Sequence, residues 1–135
     1  MENQLKYYAE TGKYRDRFDE ALPKLMPSYS NFRQEVYREG ALNQKTKRLI
    51  ALACVAVRMC EDCVYPQAKV AKNYGATREE IIEALNIAVL TGGVPTWSTA
   101  KYGITQLFEE WDEEDLERAE QKPAPKKRAA PKKKK

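Results

Sequence analysis

The sequence predicts an all-α fold, as one helical domain followed by a short basic tail. Apolar residues recur at helical spacing through most of the chain, and no run alternates between apolar and polar residues as a strand would. Glycines and prolines interrupt the helical pattern at intervals that suit helix ends. With 135 residues, the chain is long enough for one domain with a real core and too short for two.

The first part of the chain predicts two helices. Residues 3–21 form a polar pattern with interspersed aromatics, typical of an exposed helix. A second, short helix is expected to begin at Ser28 or Ser30, whose side chains can cap it, and to end near Arg38, with Gly40 as its stop.

The centre of the chain holds the most apolar segment, Leu49–Val57, whose apolar residues surround most of a helix and therefore predict a central helix. Pro66 then constrains where the next helix starts. A proline ring clashes with the carbonyl four residues back, here Asp62, but is tolerated in a first turn. The sequence therefore predicts a helix from about Cys63 to Asn73, with Asp62 as its N-cap.

The C-terminal part predicts two further helices. Thr77–Glu80 is a capping box ahead of an apolar helical run, which Gly92 and Gly93 end. A last helix is expected from about Thr96 to Phe108. The stretch 109–120, with eight acids and one arginine, either continues that helix as a solvated face or frays from it, and it could pair with the basic tail.

Positive charge is concentrated in the tail, residues 121–135, which contains eight lysines and arginines and no acid. The whole chain carries a formal charge of +4, whereas residues 1–120 carry −4. We expect a folded domain over 1–120 and a disordered tail over 121–135, because lysine, proline and alanine together bury little apolar surface. The tail could bind nucleic acid by counterion release, but it has no aromatic residue to stack on bases, and charge balance explains it as well.

The absence of histidine is the most restrictive feature of the composition. It removes the usual general base, the usual zinc ligand and every imidazole-dependent triad. No apolar run approaches the eighteen or so residues of a membrane span, and the N-terminus lacks the apolar region of a signal peptide. We therefore expect a cytoplasmic protein without membrane association, in a compartment where thiols are normally reduced.

The candidate for chemistry is the C-x-x-C pair, Cys60 and Cys63. This spacing brings two sulfurs near enough for a disulfide with little backbone movement. If Cys63 begins a helix, the partial positive charge of the helix terminus favours its thiolate, which is the nucleophilic form. Arg58 could add positive charge, whereas Glu61 and Asp62 work the other way.

Two other interpretations of the cysteines remain open at this point. Without histidine, a zinc site would need thiolates shared across an oligomer, and we expect neither a metal nor a cofactor. Alternatively, the cysteines are small hydrophobes that fill space. Cys54 fits this interpretation best, because it lies within the apolar helix, where we expect it buried and inert. Tyr65 and Tyr74 could line an apolar pocket over the thiols, but plain packing is the expected role for both.

An ordered series of signals runs through residues 43–100: a K-T-K start, the apolar helix, C-x-x-C, a helix ending in Gly-Ala-Thr, an E-E-I helix and a Gly-Gly-x-Pro break. In this order they resemble the carboxymuconolactone decarboxylase family, and within it the alkylhydroperoxidase D-like members. Residues 14–42 are similar to the family more loosely. The resemblance implies an all-helical fold whose subunits form homo-oligomers, as trimers or hexamers.

For the peroxidase members, the resemblance implies a C-x-x-C that cycles between dithiol and disulfide. Cys63 would attack the substrate and Cys60 would resolve the product. The helix-terminus argument independently favours Cys63 as the nucleophile. The substrate would be a small peroxide or a disulfide, and a thiol reductant would restore the dithiol.

Three positions depart from the peroxidase pattern. Arg48 replaces a glutamate twelve residues before the first cysteine, and Asp62 and Gln67 replace histidines. Gln67 can hydrogen-bond but cannot take a proton near neutrality. Deprotonation of Cys63 would then depend on the helix terminus, Arg58 or Arg48. Two positions are open for Arg48: close to the cysteines, or on the flank of its helix as an exposed charge.

Three functions follow from these observations. The first is a thiol–disulfide oxidoreductase related to alkylhydroperoxidases, for which disulfide formation needs only a thiolate and a neighbouring thiol. The second is a non-enzymatic oligomer that senses oxidation or binds a partner. The third is a nucleic-acid accessory protein that uses the tail. Lactone decarboxylation, which in the family relies on groups that include histidine, is not expected.

Overall fold

A computed structural model of the protein describes Arg17 and residues 20–121. These residues form five α-helices and no strand, which confirms the predicted all-α class. The predicted helix over 3–21 and the predicted tail lie almost wholly outside the described residues, so both stay predictions. The helices are α1 (Leu25–Tyr37), α2 (Gln44–Val57), α3 (Glu61–Asn73), α4 (Arg78–Gly92) and α5 (Val94–Glu120).

Helix α2 packs against α3, α4 and α5, and more lightly against α1. One face of α2 carries the fully buried Leu52 and Ala56. Small residues in the core let the helices approach closely. Burial of a large aliphatic side chain such as Leu52 contributes about 1.5–3 kcal/mol to the free energy of folding. The other helices contribute Val64, Ala68 and Ala71 of α3, Ile81, Leu85 and Ala88 of α4, and Ala100, Ile104 and Leu107 of α5.

The opposite face of α2 is not covered by the described residues. Ile50 is 47% exposed and Val57 is 37% exposed, and Cys54 lies between them as an exposed free thiol. The prediction that Cys54 is buried is therefore wrong. An apolar sequence does not by itself tell which side of a helix the rest of the chain covers.

Helix starts follow the capping signals in two places. The Thr77 hydroxyl accepts from the Glu80 N–H at 3.2 Å and the Glu80 carboxylate accepts from the Thr77 N–H at 2.8 Å, which confirms the capping box of α4. Asn43 caps α2 by accepting from the Thr46 N–H at 2.8 Å. Lys45 forms an ion pair with Glu80 at 2.5 Å, which joins the first turns of α2 and α4.

Helix α1 begins at Leu25, earlier than the predicted serine caps. Pro27 fits within its first turn, where a missing N–H costs nothing. Ser28 lies inside the helix and its hydroxyl donates to the Lys24 carbonyl at 3.3 Å rather than capping an N–H. In the same way Pro95 lies in the first turn of α5, which begins at Val94.

Helix α5 continues without a break to Glu120, so the acidic stretch extends the helix rather than fraying from it. Its acids pair with bases on α3 and α4 of the same chain. Lys69 contacts Glu110 at 3.0 Å, Lys72 contacts Glu114 at 2.5 Å and Arg78 contacts Asp112 at 2.6 Å. Among the described residues, none of the helices has the length and apolar character that a membrane span requires.

Candidate redox site

The turn between α2 and α3 positions the cysteine pair. Met59 donates its N–H to the Ala56 carbonyl and Cys60 donates its N–H to the Val55 carbonyl, both at 3.0 Å. These two bonds form a Schellman motif, whose left-handed residue is usually glycine. Met59 occupies that position with φ 58°, a conformation that disfavours residues with a side chain. The turn therefore holds Cys60 tightly at the start of α3, in a strained backbone.

A disulfide joins Cys60 and Cys63, with a Cα–Cα separation of 5.3 Å that is typical of disulfides. Cys60 is the N-cap of α3, and the Cys63 N–H donates to the Cys60 carbonyl at 3.0 Å. Both residues are half-buried. The pair thus sits in the first turn of a helix, at the edge of solvent.

The start of α3 differs from the prediction, because the helix begins at Glu61 and its N-cap is Cys60 rather than Asp62. Pro66 consequently lies in the second turn. Its ring removes one hydrogen bond to the carbonyl of Asp62, but Asp62 is exposed and that carbonyl can bond to water instead. The helix therefore begins two residues earlier than predicted, at Glu61 instead of Cys63.

The charges around the sulfurs are mixed, as the sequence indicated. Cys63 lies in the first turn of α3, where the helix dipole favours a negative charge. Glu61 and Asp62 occupy the same first turn, and Arg58 immediately precedes the strained turn; all three are exposed. The terminus of α3 and Arg58 favour a Cys63 thiolate, whereas the carboxylates of Glu61 and Asp62 oppose it.

Gln67 lies one helical turn after Cys63, on the same face of α3. Its side-chain oxygen Oε1 is buried and has no hydrogen-bond partner. An unpartnered amide oxygen at this place can accept a hydrogen bond from a substrate or from a thiol. It cannot act as a base that removes the proton.

Arg48 lies elsewhere than either interpretation of it predicted. The residue is only 8% exposed, so it is not a flank charge in water. Its guanidinium carbon lies 3.4 Å from the centre of the Tyr37 ring and 5.4 Å from that of Tyr74. Tyr74 caps the C-terminal end of α3, about 16 Å along the helix axis from Cys63 at 1.5 Å per residue. The structure therefore groups Arg48 with tyrosines at the far end of α3 rather than with the cysteines.

Tyr65, two residues after Cys63, was expected to serve in plain packing, but it is a hydrogen-bonded anchor. It is 3% exposed, its hydroxyl donates to the Glu110 carboxylate at 2.7 Å, and it accepts from Lys69 at 2.9 Å. Burial and the Glu110 carboxylate raise the pKa of Tyr65. The sequence does show that Tyr65 and Lys69 lie four residues apart, and therefore on one face of a helix. Their common partner, Glu110, is 41 or more residues away along the chain, so the anchor could not be predicted from this spacing.

The first turns of α5 lie against this site. Thr99 donates its hydroxyl to the Met59 sulfur at 3.3 Å, and Thr96 is fully buried with no partner for its hydroxyl oxygen. Among the described residues, no group of three or more histidine, cysteine, aspartate or glutamate side chains is arranged to hold a metal ion. The site thus consists of two sulfurs at a helix terminus, with exposed charges of both signs and a few neutral polar groups beside them.

Residues 23–102 match the family model of the carboxymuconolactone decarboxylase family, and the chain belongs to this family. It shares 43% identity over 53 residues with an uncharacterized protein encoded in the cox locus of Paracoccus denitrificans. This match covers 39% of this chain and 48% of that protein, so the chain spans about half of the relative's length. An uncharacterized protein of Methanocaldococcus jannaschii is 35% identical over 82 residues, which cover 60% of this chain and 79% of that protein.

Two solved structures share the fold. The first is the apo form of a carboxymuconolactone decarboxylase family protein from Legionella pneumophila, with a TM-score of 0.73 and 30% identity over 78% of this chain and 95% of that one. The second is a family protein from Thermotoga maritima, a candidate for the antioxidative response, with a TM-score of 0.67 and 29% identity over 80% of this chain and 95% of that one.

Proposed function

We propose that this protein is a thiol–disulfide oxidoreductase of the peroxidase type, which uses the Cys60–Cys63 dithiol to reduce small hydroperoxides. The observation that carries the proposal is the position of this pair, half-buried and disulfide-bonded in the first turn of α3. Family membership and the likeness to the Thermotoga protein support an antioxidative role. The alkylhydroperoxidase D-like branch and the cytoplasmic location belong to the same proposal.

The reaction proceeds in two steps. The Cys63 thiolate attacks one peroxide oxygen, the O–O bond breaks, and the released alkoxide takes a proton and leaves as an alcohol, while Cys63 becomes a sulfenic acid. The Cys60 thiol then attacks that sulfur, so that an S–S bond forms and water leaves. The dithiol gives two electrons to the peroxide in total. An external thiol reductant returns them by disulfide exchange.

Arg48, Asp62 and Gln67 occupy the positions of the proton relay. The proposed chemistry therefore has to proceed without that relay. The terminus of α3 favours the Cys63 thiolate. The unpartnered oxygen of Gln67 accepts a hydrogen bond from the incoming hydroperoxide or from the departing alcohol. We therefore expect turnover slower than in enzymes with an intact relay.

The proposal is tested by the consumption of cumene hydroperoxide with dithiothreitol as the donor. Cys63→Ser should abolish turnover, and Cys60→Ser should leave a sulfenic acid that dimedone can trap. Cys54→Ser is the matched control, because Cys54 is an exposed thiol outside the pair, and it should retain full activity. Turnover that survives in Cys63→Ser but is lost in Cys54→Ser would contradict the proposal.

A redox-sensing role is the second candidate, favoured by the missing relay and by the distance of Arg48 from the pair. In that case the disulfide forms once per oxidation event and reports it to a partner. The same assay separates the two functions. A sensor gives stoichiometric disulfide without sustained peroxide consumption, whereas an enzyme gives many turnovers per chain.

We further propose that the protein is a homo-oligomer, a trimer or a hexamer, whose subunits meet on an apolar surface that we term the α2–α4 face. A cleft of about 340 Å³ there is lined by Cys54, Val57 and Ile87 among others. Two further large apolar side chains of α2 and α4 are exposed, Ile50 and Leu90. Exposed apolar patches of this kind typically mark association surfaces.

Light scattering coupled to size-exclusion chromatography tests this assembly. Leu90→Glu places a charge on a side chain that is 85% exposed within the α2–α4 face and should yield monomers. Leu116→Glu is the control, because Leu116 is 66% exposed on the acidic end of α5 and should leave the assembly intact. A wild-type monomer would contradict the proposal.

A further inference from the structure

A cleft of about 520 Å³ opens between α1, the first turn of α2 and the C-terminal end of α3. We term it the arginine cleft, because Arg33, Arg38 and Arg48 line it together with Tyr37 and Tyr74. Its volume falls within the range of sites that hold small molecules. The cleft lies at the end of α3 opposite to the cysteine pair.

Arg48 is the unusual residue of this cleft. It is 8% exposed, and its Nε and Nη1 atoms are buried without a hydrogen-bond partner. The faces of the Tyr37 and Tyr74 rings attract its charge, but a ring face does not satisfy an N–H group in the way an oxygen acceptor does. Buried charges in proteins are normally paired, so the Nε and Nη1 atoms of Arg48 are donors that lack an acceptor among the described residues.

The rest of the cleft does not supply that acceptor. Its one carboxylate, Glu35, pairs with Arg38 at 3.3 Å. No carboxylate among the described residues forms an ion pair with Arg33, which is half-buried. Three arginines and one glutamate leave the lining with a formal charge of +2. The cleft therefore attracts an anion from outside the described residues.

We propose that the arginine cleft binds a small molecule in which a carboxylate is attached to a flat apolar group. The guanidinium of Arg48 matches a carboxylate in shape and charge, with Arg33 as a second cation at the rim. The tyrosine rings pack against the apolar part. Tyr74 is 45% exposed and lines the cleft together with Arg48, so its ring is accessible to a ligand there. This binding site does not depend on the redox function proposed above.

Calorimetric titration of the full chain with benzoate at low salt tests the site. Benzoate should bind once per chain, whereas benzamide, its neutral analogue, should not bind measurably. Inorganic phosphate, which lacks the apolar part, should bind about tenfold more weakly than benzoate. Tighter binding of phosphate than of benzoate would overturn the assignment of the ligand class.

Variants locate the binding. Arg48→Met should weaken benzoate binding about tenfold or more, because it removes the charge-assisted hydrogen bonds. Arg33→Gln, at the half-buried rim, should weaken it severalfold and remains informative if Arg48→Met does not fold, as judged by circular dichroism. Arg118→Gln, whose side chain is 69% exposed on α5, should leave the affinity unchanged. No benzoate binding by the wild type at millimolar concentration, or the wild-type affinity in Arg33→Gln, would overturn the proposal.

Discussion

Replacement of Tyr65 by phenylalanine isolates the anchor that ties the redox helix to the C-terminal helix. The hydroxyl of Tyr65, a residue that is only 3% exposed, bridges Lys69 of α3 and Glu110 of α5. Phenylalanine keeps the ring and its packing. The substitution therefore removes one donor and one acceptor, with little other change.

The expected cost follows from the partners that remain. A hydrogen bond to a charged group contributes about 1.5–3 kcal/mol. Glu110 keeps Lys69 at 3.0 Å, and its side chain is 18% exposed, so water can replace part of the lost bond. We therefore expect Tyr65→Phe to lower the free energy of unfolding by about 1.5–2 kcal/mol, toward the lower end of that range.

Urea denaturation followed by circular dichroism measures this loss, with unchanged slope. Tyr102→Phe, at a residue that is 37% exposed, is the control and should stay within about 0.5 kcal/mol of the wild type. A double-mutant cycle with Glu110→Gln should give a coupling of about 1 kcal/mol. A Tyr65→Phe variant as stable as the control, or additive losses in the cycle, would refute the reasoning.

The same anchor predicts a dependence on alkaline pH. Burial, and then the Glu110 carboxylate, raise the pKa of Tyr65 above its ordinary value of 10.0. A raised pKa in the folded state means that the contribution is complete below pH 10 and is lost as the pH rises through the folded pKa. The wild type should therefore lose stability in this range more steeply than Tyr65→Phe.

Three further perturbations test other parts of the structure. Met59→Gly should raise the free energy of unfolding by about 0.5–1 kcal/mol in urea, because glycine relieves the left-handed backbone at some entropic cost. Leu52→Ala should lower it by about 2–5 kcal/mol, whereas Leu116→Ala, at a residue that is 66% exposed outside the α2–α4 face, should cost less than about 1 kcal/mol. Hydrogen bonds from Lys45, and then from the Thr77 N–H, lower the pKa of Glu80. The contribution of Glu80 to the free energy of unfolding is therefore present above pH 4.5 and is lost on acidification. Glu80→Gln should flatten the acid limb of the plot of stability against pH.

Matched controls exist for two of these perturbations. Arg58→Gly changes the neighbouring residue, whose φ of −75° carries no such strain, and it should lower stability where Met59→Gly raises it. Glu83→Gln changes an exposed glutamate of the same helix as Glu80 and should leave the acid limb unchanged. If each control behaved like its partner, the local explanations would be wrong.

Local signals in the sequence predicted much of the fold. The capping box at Thr77 and the apolar periodicity around Leu52 depend on neighbours a few residues apart, and both are confirmed. Asp62 was a plausible cap on the same kind of argument, but the Schellman turn at Met59 brought Cys60 into the cap instead. Met59 carries no sequence signal of a left-handed residue, so this turn could not be predicted.

Long-range geometry limited what could be predicted about the site. The C-x-x-C spacing places Cys60 and Cys63 together because both belong to one turn of helix. The position of Arg48 depends on how α2 packs beside α3, which fixes the end of α3 that it meets, and its spacing from the cysteines along the chain does not contain that information. For the same reason the exposure of Cys54 depends on which face of α2 the other helices cover.

The redox role of the Cys60–Cys63 pair is tested most directly by its reduction potential. The measurement uses thiol trapping across graded dithiothreitol and glutathione buffers, in the Cys54→Ser background so that only the pair reports. We predict a single two-electron transition above about −300 mV, where glutathione and thioredoxin-type reductants exchange with the pair. A pair that never forms a disulfide in oxidising buffer, or one that stays oxidised in all but the most reducing buffers as a structural disulfide would, contradicts the account.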